Sequence, residues 1–287
     1  MLITRRSALL GAAALGGASL AAGRAAQAKD WTSIKVATEG SYAPYNATSP
    51  SGQLIGFEPE LLVELSKKMG IPASMQAVEW NGMIAGLTDG KYDAIMDAVS
   101  ITPKREEVIA FSLPYANSPS TFLTMKGSSL EKLPGMGERI LIGDEAKLRA
   151  ALEAMKPVIQ GETVGVQIST IQADFLTTYM KDMVTIRTYP TSPESILDLK
   201  AGRVDVVLAS GANMYAAAKR SRGEQVLAGF GFTGGLLGKG SAVGLRKGDP
   251  ELKEKFDAAL KAVYAEGTLK KLIMKHFEYD ITPVGVY

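Results

Sequence analysis

From Ser33 to about Gly231, short apolar runs alternate with stretches in which apolar residues recur every three or four positions. The runs suit buried strands and the stretches suit amphipathic helices, so the chain is predicted to form βα units with largely parallel sheets, an α/β fold. Strands are predicted over Ile34–Thr38, Ser74–Val78, Tyr92–Met96, Arg139–Ile142, Thr163–Val166, Thr185–Tyr189 and Val204–Leu208. The clearest early helix starts at Pro59, carries Leu61, Leu62, Leu65 and Met69 on one face and stops at Gly70. A later helix from Asp249 to roughly Ala265 spaces Leu252, Phe256, Ala259, Leu260 and Val263 for one buried face. After Gly267 a further helical run continues to Phe277. Two closing helices with no final strand imply a return of the chain to cover its first lobe.

One segment echoes another. Leu87-Thr-Asp-Gly-Lys-Tyr-Asp-Ala-Ile-Met96 and Leu199-Lys-Ala-Gly-Arg-Val-Asp-Val-Val-Leu208 share a helix end, a glycine suited to a left-handed cap, a basic residue, an aspartate and an apolar strand. They represent either two lobes of related design or a common junction met twice.

Length and composition narrow the function classes. The 287 residues suit about two domains, and 46% hydrophobic with 22% charged residues excludes a disordered or fibrous chain. Residues 1–28 hold Arg5, Arg6 and Arg24 and no acid, and an Ala/Leu/Gly-rich stretch ends at Ala26-Gln27-Ala28. That is the pattern of a cleaved signal peptide, and the arginine pair after Thr4 resembles a twin-arginine export signal. Of 32 basic residues 29 then remain against 30 acids, so the formal charge of +2 becomes −1. A near-neutral exported chain has no electrostatic reason to bind nucleic acid or an anionic membrane. Cysteine is absent and His276 is the single histidine, which removes thiolate chemistry and His-rich metal sites. No cofactor is expected.

Ligands of open α/β sheets sit beyond the carboxyl ends of the strands, so the loops there are the candidates. Glu39 to Tyr45 offers a carboxylate and two aromatics stiffened by Pro44; Glu79-Trp80-Asn81 offers an indole that either stacks on a ligand or packs in the core. Asp97 to Tyr115 is more telling. Thr102-Pro103 can start a helix with Arg105 in its first turn, against the macrodipole preference. Positive potential beside free backbone donors and Ser100 suits a bound carboxylate, unless Arg105 pairs with Glu106 or Asp97 instead.

The block Ser100-Ile-Thr-Pro-Lys-Arg105 with Phe111-Ser112 and Pro114-Tyr115 resembles the extracytoplasmic solute-binding proteins of polar amino-acid ABC importers. The resemblance continues through Gly56-Phe57-Glu58, Gly165-Val166-Gln167, Ser169-Thr170, Ala201 to Asp205, Gly244-Leu245-Arg246 and Gly267-Thr268. It implies a two-lobed periplasmic-binding-protein fold with two hinge crossings, lobe 1 comprising residues 33–116 plus 242–287 and lobe 2 residues 117–241. It further implies that Arg105 and Ser100 hold a ligand α-carboxylate with help from Thr170. The backbone at Ala98 and the Gln167 loop would line the same pocket, and Tyr42 and Trp80 would sandwich the ligand's aliphatic part. Glu39 would accept a distal ammonium or guanidinium. Where the family usually places an aspartate for the α-ammonium, this chain has Ser210, so either Asp97 substitutes or the ligand differs there. Opines, whose amino nitrogen carries a carboxyalkyl group, meet the second condition, and Gln167-x-Ser169-Thr170-Ile171-Gln172 is similar to opine-binding members.

The expected role is capture of an arginine-like ligand or an opine of the octopine or nopaline type in the periplasm, and delivery by a monomer to a membrane permease without catalysis. A chemoreceptor as a further partner is compatible with this. The competing expectation is an exported cyclohexadienyl dehydratase on the same fold, for which Glu39 or Asp97 would be the acid.

Overall fold

A computed structural model describes residues 30–287; the predicted export segment lies outside the described residues. Two mixed sheets carry the fold. The first orders its strands Ala73–Ala77, Ile34–Thr38, Ala94–Ile95, Ser241–Leu245 and Ala110–Ala116, and the second Thr185–Tyr189, Thr163–Gln167, Val206–Ser210, Ser120–Met125, Gln225–Thr233 and Arg139–Leu141. In each sheet one strand opposes all the others: Ser241–Leu245 in the first and Ser120–Met125 in the second. Both are the first strand laid down after the chain changes sheet. The chain leaves one sheet at its carboxyl edge and enters the other at the facing carboxyl edge, so the entering strand has to run backwards. The carboxyl ends of both parallel sets therefore meet across the two crossings, where open α/β sheets bind ligands.

Helices cover both faces of each sheet. Phe57–Met69, Pro250–Ala265 and Thr268–Phe277 bury Leu61, Leu65, Phe256, Leu260 and Phe277 against Ile34, Val36 and Val243, so the closing helices do return to the first sheet. Around the second sheet, Glu145–Ile159 and Ile171–Phe175 join the core on one face. Ser192–Lys200 and Gly211–Arg220 join the smaller core on the other. Among the described residues no helix is long and apolar enough to cross a membrane.

The early helix begins at Phe57, two residues before the predicted start, because loop carbonyls take its open-turn donors: Phe57 N–H donates to Pro44 O at 3.0 Å and Glu58 N–H to Tyr45 O at 2.8 Å. Gly56, at φ 121°, is needed there, since a Cβ would lie 2.8 Å from Tyr45 O. The predicted strand at Tyr92–Met96 shortens to Ala94–Ile95, and the one at Val204–Leu208 moves to Val206–Ser210. Ala110–Ala116 was not predicted, and Pro114 within it is tolerated because this strand forms an edge.

The two echoing segments are structural equivalents. Asp93 N–H donates to Lys35 O at 2.8 Å while its Oδ2 accepts from Lys35 N at 2.9 Å; Asp205 N–H donates to Thr163 O at 2.9 Å while its Oδ2 accepts from Thr163 N at 2.8 Å. Gly90 and Gly202 hold φ of 77° and 68° at the two helix ends. Each aspartate pins the start of its strand to a parallel neighbour, Ile34–Thr38 in the first sheet and Thr163–Gln167 in the second.

Candidate ligand cleft

A narrow cavity lies where the carboxyl ends of the sheets meet. Glu39, Tyr42, Trp80, Asp97, Ala98, Ser100, Arg105, Gln167, Thr170 and Ser210, all named from the sequence, line it together.

The first lobe supplies the charged groups. Arg105 stands in the single turn Pro103–Glu106, which Thr102 caps by accepting from Arg105 N at 3.2 Å. Its guanidinium donates to Ser100 O at 3.1 Å and lies 5.3 Å above the Trp80 ring, a cation–π distance. Among the described residues it makes no ion pair, so neither the Glu106 nor the Asp97 pairing forms. Burial lowers its pKa to about 10, which leaves it protonated at neutral pH.

Glu39 follows the first strand directly. Its Oε2 accepts from Gln167 Nε2 at 2.7 Å, whereas Oε1 is buried without a hydrogen-bond partner. Burial raises its pKa to about 7, against the opposing influence of the Gln167 hydrogen bond and the nearby Ser41 hydroxyl. Asp97 is also raised, by burial first and then by the charges of Glu39 and Glu58. Its Oδ1 accepts from Thr38 Oγ1 at 3.2 Å, Glu39 N at 3.1 Å and Asn46 Nδ2 at 2.8 Å. Ala98 sits at φ 48° and donates its N–H to Glu58 Oε1 at 2.7 Å.

The second lobe supplies neutral groups and touches the first. Trp80 Nε1 donates to Ile168 O at 3.1 Å, Ser210 N to the Tyr42 hydroxyl at 3.1 Å, and Ser169 Oγ lies 3.0 Å from Asn81 Oδ1. Trp80 is therefore a cleft residue that bridges the lobes. Thr170 caps Ile171–Phe175 by accepting from Ala173 N at 3.2 Å and donates to Gln167 O at 2.7 Å, which holds the loop in place. Ser210 ends Val206–Ser210; its buried Oγ lies near the Tyr45 hydroxyl without a hydrogen bond of standard geometry.

Ser118, Ile171, Gln172 and Ser241 complete the lining and were not singled out from the sequence. Ile171 and Gln172 continue the Thr170 run and were legible there. Ser118 and Ser241 flank the two sheet changes, and no local pattern marks them. His276 does not line the cleft; it stands in the last helix with Nε2 3.2 Å from Glu60 Oε2. Among the described residues no cluster of His, Asp or Glu is arranged to hold a metal ion.

Residues 34–279 match the family described as bacterial extracellular solute-binding proteins, family 3. The chain belongs to this family. Among its similar relatives is an octopine-binding periplasmic protein of Rhizobium meliloti, 41% identical over 88% of this chain and 92% of that one. An L-arginine-binding protein of Pseudomonas aeruginosa is 30% identical over 96% and 98% of the two chains. A crystal structure of a periplasmic His/Glu/Gln/Arg/opine family-binding protein from Silicibacter pomeroyi in complex with lysine superposes with a TM-score of 0.69 at 30% identity, covering 87% of this chain and 99% of that one. In this family 3 solute-binding protein the lobes meet through Trp80 to Ile168, Ser210 to Tyr42 and Gln167 to Glu39, and through the Lys104–Asp174 ion pair at 3.5 Å.

Proposed function

We propose that the protein captures an arginine-like amino acid or an opine of the octopine or nopaline type and hands it to an ABC importer as a periplasmic monomer. The observation that carries the reading is an unpaired guanidinium, Arg105, and an orphaned carboxylate oxygen, Glu39 Oε1, in one cavity. Such a pair complements a ligand with an acid at one end and a cation at the other, because each buried charge then gains a partner. Arg105, Ser100 and Thr170 take the ligand's α-carboxylate, Tyr42 and Trp80 flank its aliphatic stem, and Glu39 takes the distal cation. Ser210 is neutral and sits where a primary ammonium would need an acid, which favours an amine carrying a carboxyalkyl substituent. The similarity to an octopine-binding protein supports the same ligand class.

Residues 33–116 with 242–287 act as one lobe and 117–241 as the other, and ligand contacts on both sides favour the closed arrangement. The segment over residues 1–28 directs export and is removed near Ala28. Delivery requires no bond to be made or broken. A Glu39 pKa near 7 also suits a general acid, the property a dehydratase would use, so incubation with prephenate or arogenate tests that alternative directly. Absence of aromatic product keeps the binding role, and turnover replaces it. The primary test is a thermal-shift screen followed by calorimetry against arginine, ornithine, octopine and nopaline. An opine as the strongest stabiliser is expected, since a ligand bound only to the folded state raises apparent stability. No shift with any of them overturns the reading.

A further inference from the structure

Glu58 is fully enclosed and does not line the cleft, yet it is bonded to what does. It is the second residue of Phe57–Met69. Its Oε1 accepts from Ala98 N at 2.7 Å and from the Tyr115 hydroxyl, and its Oε2 accepts from Asn46 Nδ2 at 2.7 Å. The second hydrogen of that Asn46 amide goes to Asp97 Oδ1 at 2.8 Å, and Asn46 Oδ1 accepts from Tyr42 N at 3.3 Å. The polar atoms of Asn46 and Glu58, Oδ1, Nδ2, Oε1 and Oε2, are thus all engaged, and one bond between them joins the two sets of contacts. Ala98 needs such restraint, because a non-glycine residue at φ 48° is held there only by its surroundings.

The third contact reaches the hinge. Tyr115 precedes Ala116, the last residue of Ala110–Ala116, and Ala116 pairs with Ser241, where the chain re-enters the first sheet. Ser241 Oγ in turn donates to Ala98 O at 3.2 Å. One buried carboxylate therefore ties three cleft residues to the roots of both crossings.

We infer that Glu58 is a positioning residue for ligand binding: without reaching the ligand, its carboxylate sets Tyr42, Asp97 and Ala98 in the cleft and fastens them to the strand that leads into the hinge. A carboxylate is required because three donors converge on two oxygens. In Glu58→Gln the new amide must turn an N–H toward either Ala98 N or Asn46 Nδ2, and a buried donor facing a donor is left unsatisfied. The role rests on the amino-acid-binding reading above.

The test is calorimetry with L-arginine and octopine on wild type, Glu58→Gln, Asn46→Ala and the double variant, with the melting temperature of each ligand-free protein as the folding control. Glu58→Gln is expected to weaken binding about tenfold or more. The double variant should bind no more weakly than the weaker single variant, since both act through one network. Tyr115→Phe, which removes only the hinge contact, should weaken binding less. If Glu58→Gln does not fold, Asn46→Ala decides: at least a fivefold loss with retained folding supports the role, and unchanged affinity overturns it. Unchanged affinity in Glu58→Gln with a lowered melting temperature, or strictly additive effects in the double variant, also overturns it. Wild type that binds neither probe overturns the amino-acid reading itself and this role with it, an outcome distinct from wild-type binding with an indifferent variant.

Discussion

The two lobes share a frame and divide the chemistry. Asp93 and Asp205 make the same pair of backbone hydrogen bonds to Lys35 and Thr163, which sets the registers of the two lobes side by side. Four residues beyond Lys35 and Thr163 stand Glu39 and Gln167, and four beyond the aspartates stand Asp97 and Ala209. The first lobe carries the acids and the second carries an amide and a methyl group at the equivalent positions. Glu39 and Gln167 then meet each other across the cleft at 2.7 Å. Had both lobes kept acids there, closure would press two carboxylates together in a buried site, where like charges disfavour ionisation of both. Asymmetry of charge on a symmetric frame lets the two strand ends approach without two buried carboxylates meeting, as the proposed capture of a cation by Glu39 requires.

The largest expected effect comes from emptying the charged lobe. Arg105→Ala should weaken binding of the amino-acid ligand by at least about a hundredfold, because the ligand's carboxylate is then buried without its partner. Calorimetry checks this, and retained affinity would remove Arg105 as the carboxylate clamp.

Restoring the symmetry of charge comes next. Gln167→Glu should lower the closed population of the ligand-free protein by about tenfold at pH 8, as two carboxylates meet. At pH 6 the pair can share a proton and the difference should shrink. A pair of fluorophores, one on each lobe, reads the distance; equal closure at both pH values would show that the contact carries no charge.

Glu39 sharpens the comparison through ligand choice. Glu39→Gln should weaken guanidinium-bearing ligands about tenfold while leaving neutral side chains nearly unaffected. In the wild type, a pKa raised to about 7 means that the carboxyl binds a proton below that value and must release it to receive a cation. Affinity for arginine-type ligands should therefore rise with pH up to about 7 and level off above it, and the Glu39→Gln variant should lose this slope. A flat wild-type profile between pH 5 and about 8 would separate Glu39 from the ligand cation.

The smallest effect tests the shared frame itself. Gly90→Ala and Gly202→Ala each place a side chain at positive φ with open space around the new Cβ, so only backbone strain opposes them. Each should cost about 1 kcal/mol in denaturant unfolding, and the two values should agree. A large inequality would mean that the two junctions are not equivalents.

Much of the cleft was legible because its residues follow strands directly. Glu39, Trp80, Asp97 and Gln167 each stand at or just past the carboxyl end of an apolar run, where an α/β sheet places its ligand, and Thr102-Pro103 marks the turn that carries Arg105. Strands that carry the chain between lobes were less legible. Ser120–Met125 and Ser241–Leu245 follow another strand with no α-helix between and run against their neighbours, so the alternation of apolar runs with helical stretches does not announce them. Pro114 likewise masks an edge strand.

By itself the sequence determined the local elements, the paired aspartate junctions and the ends of strands where chemistry sits, because caps, glycine positions and apolar spacing act over a few residues. Only the tertiary structure decided which side chains share a hydrogen bond. Glu58 reaches Ala98 across 40 positions and Tyr115 across 57, and Glu39 meets Gln167 across 128. No local pattern encodes such distances, since these groups are brought together by two changes of sheet and by the need of each buried polar atom to find a partner.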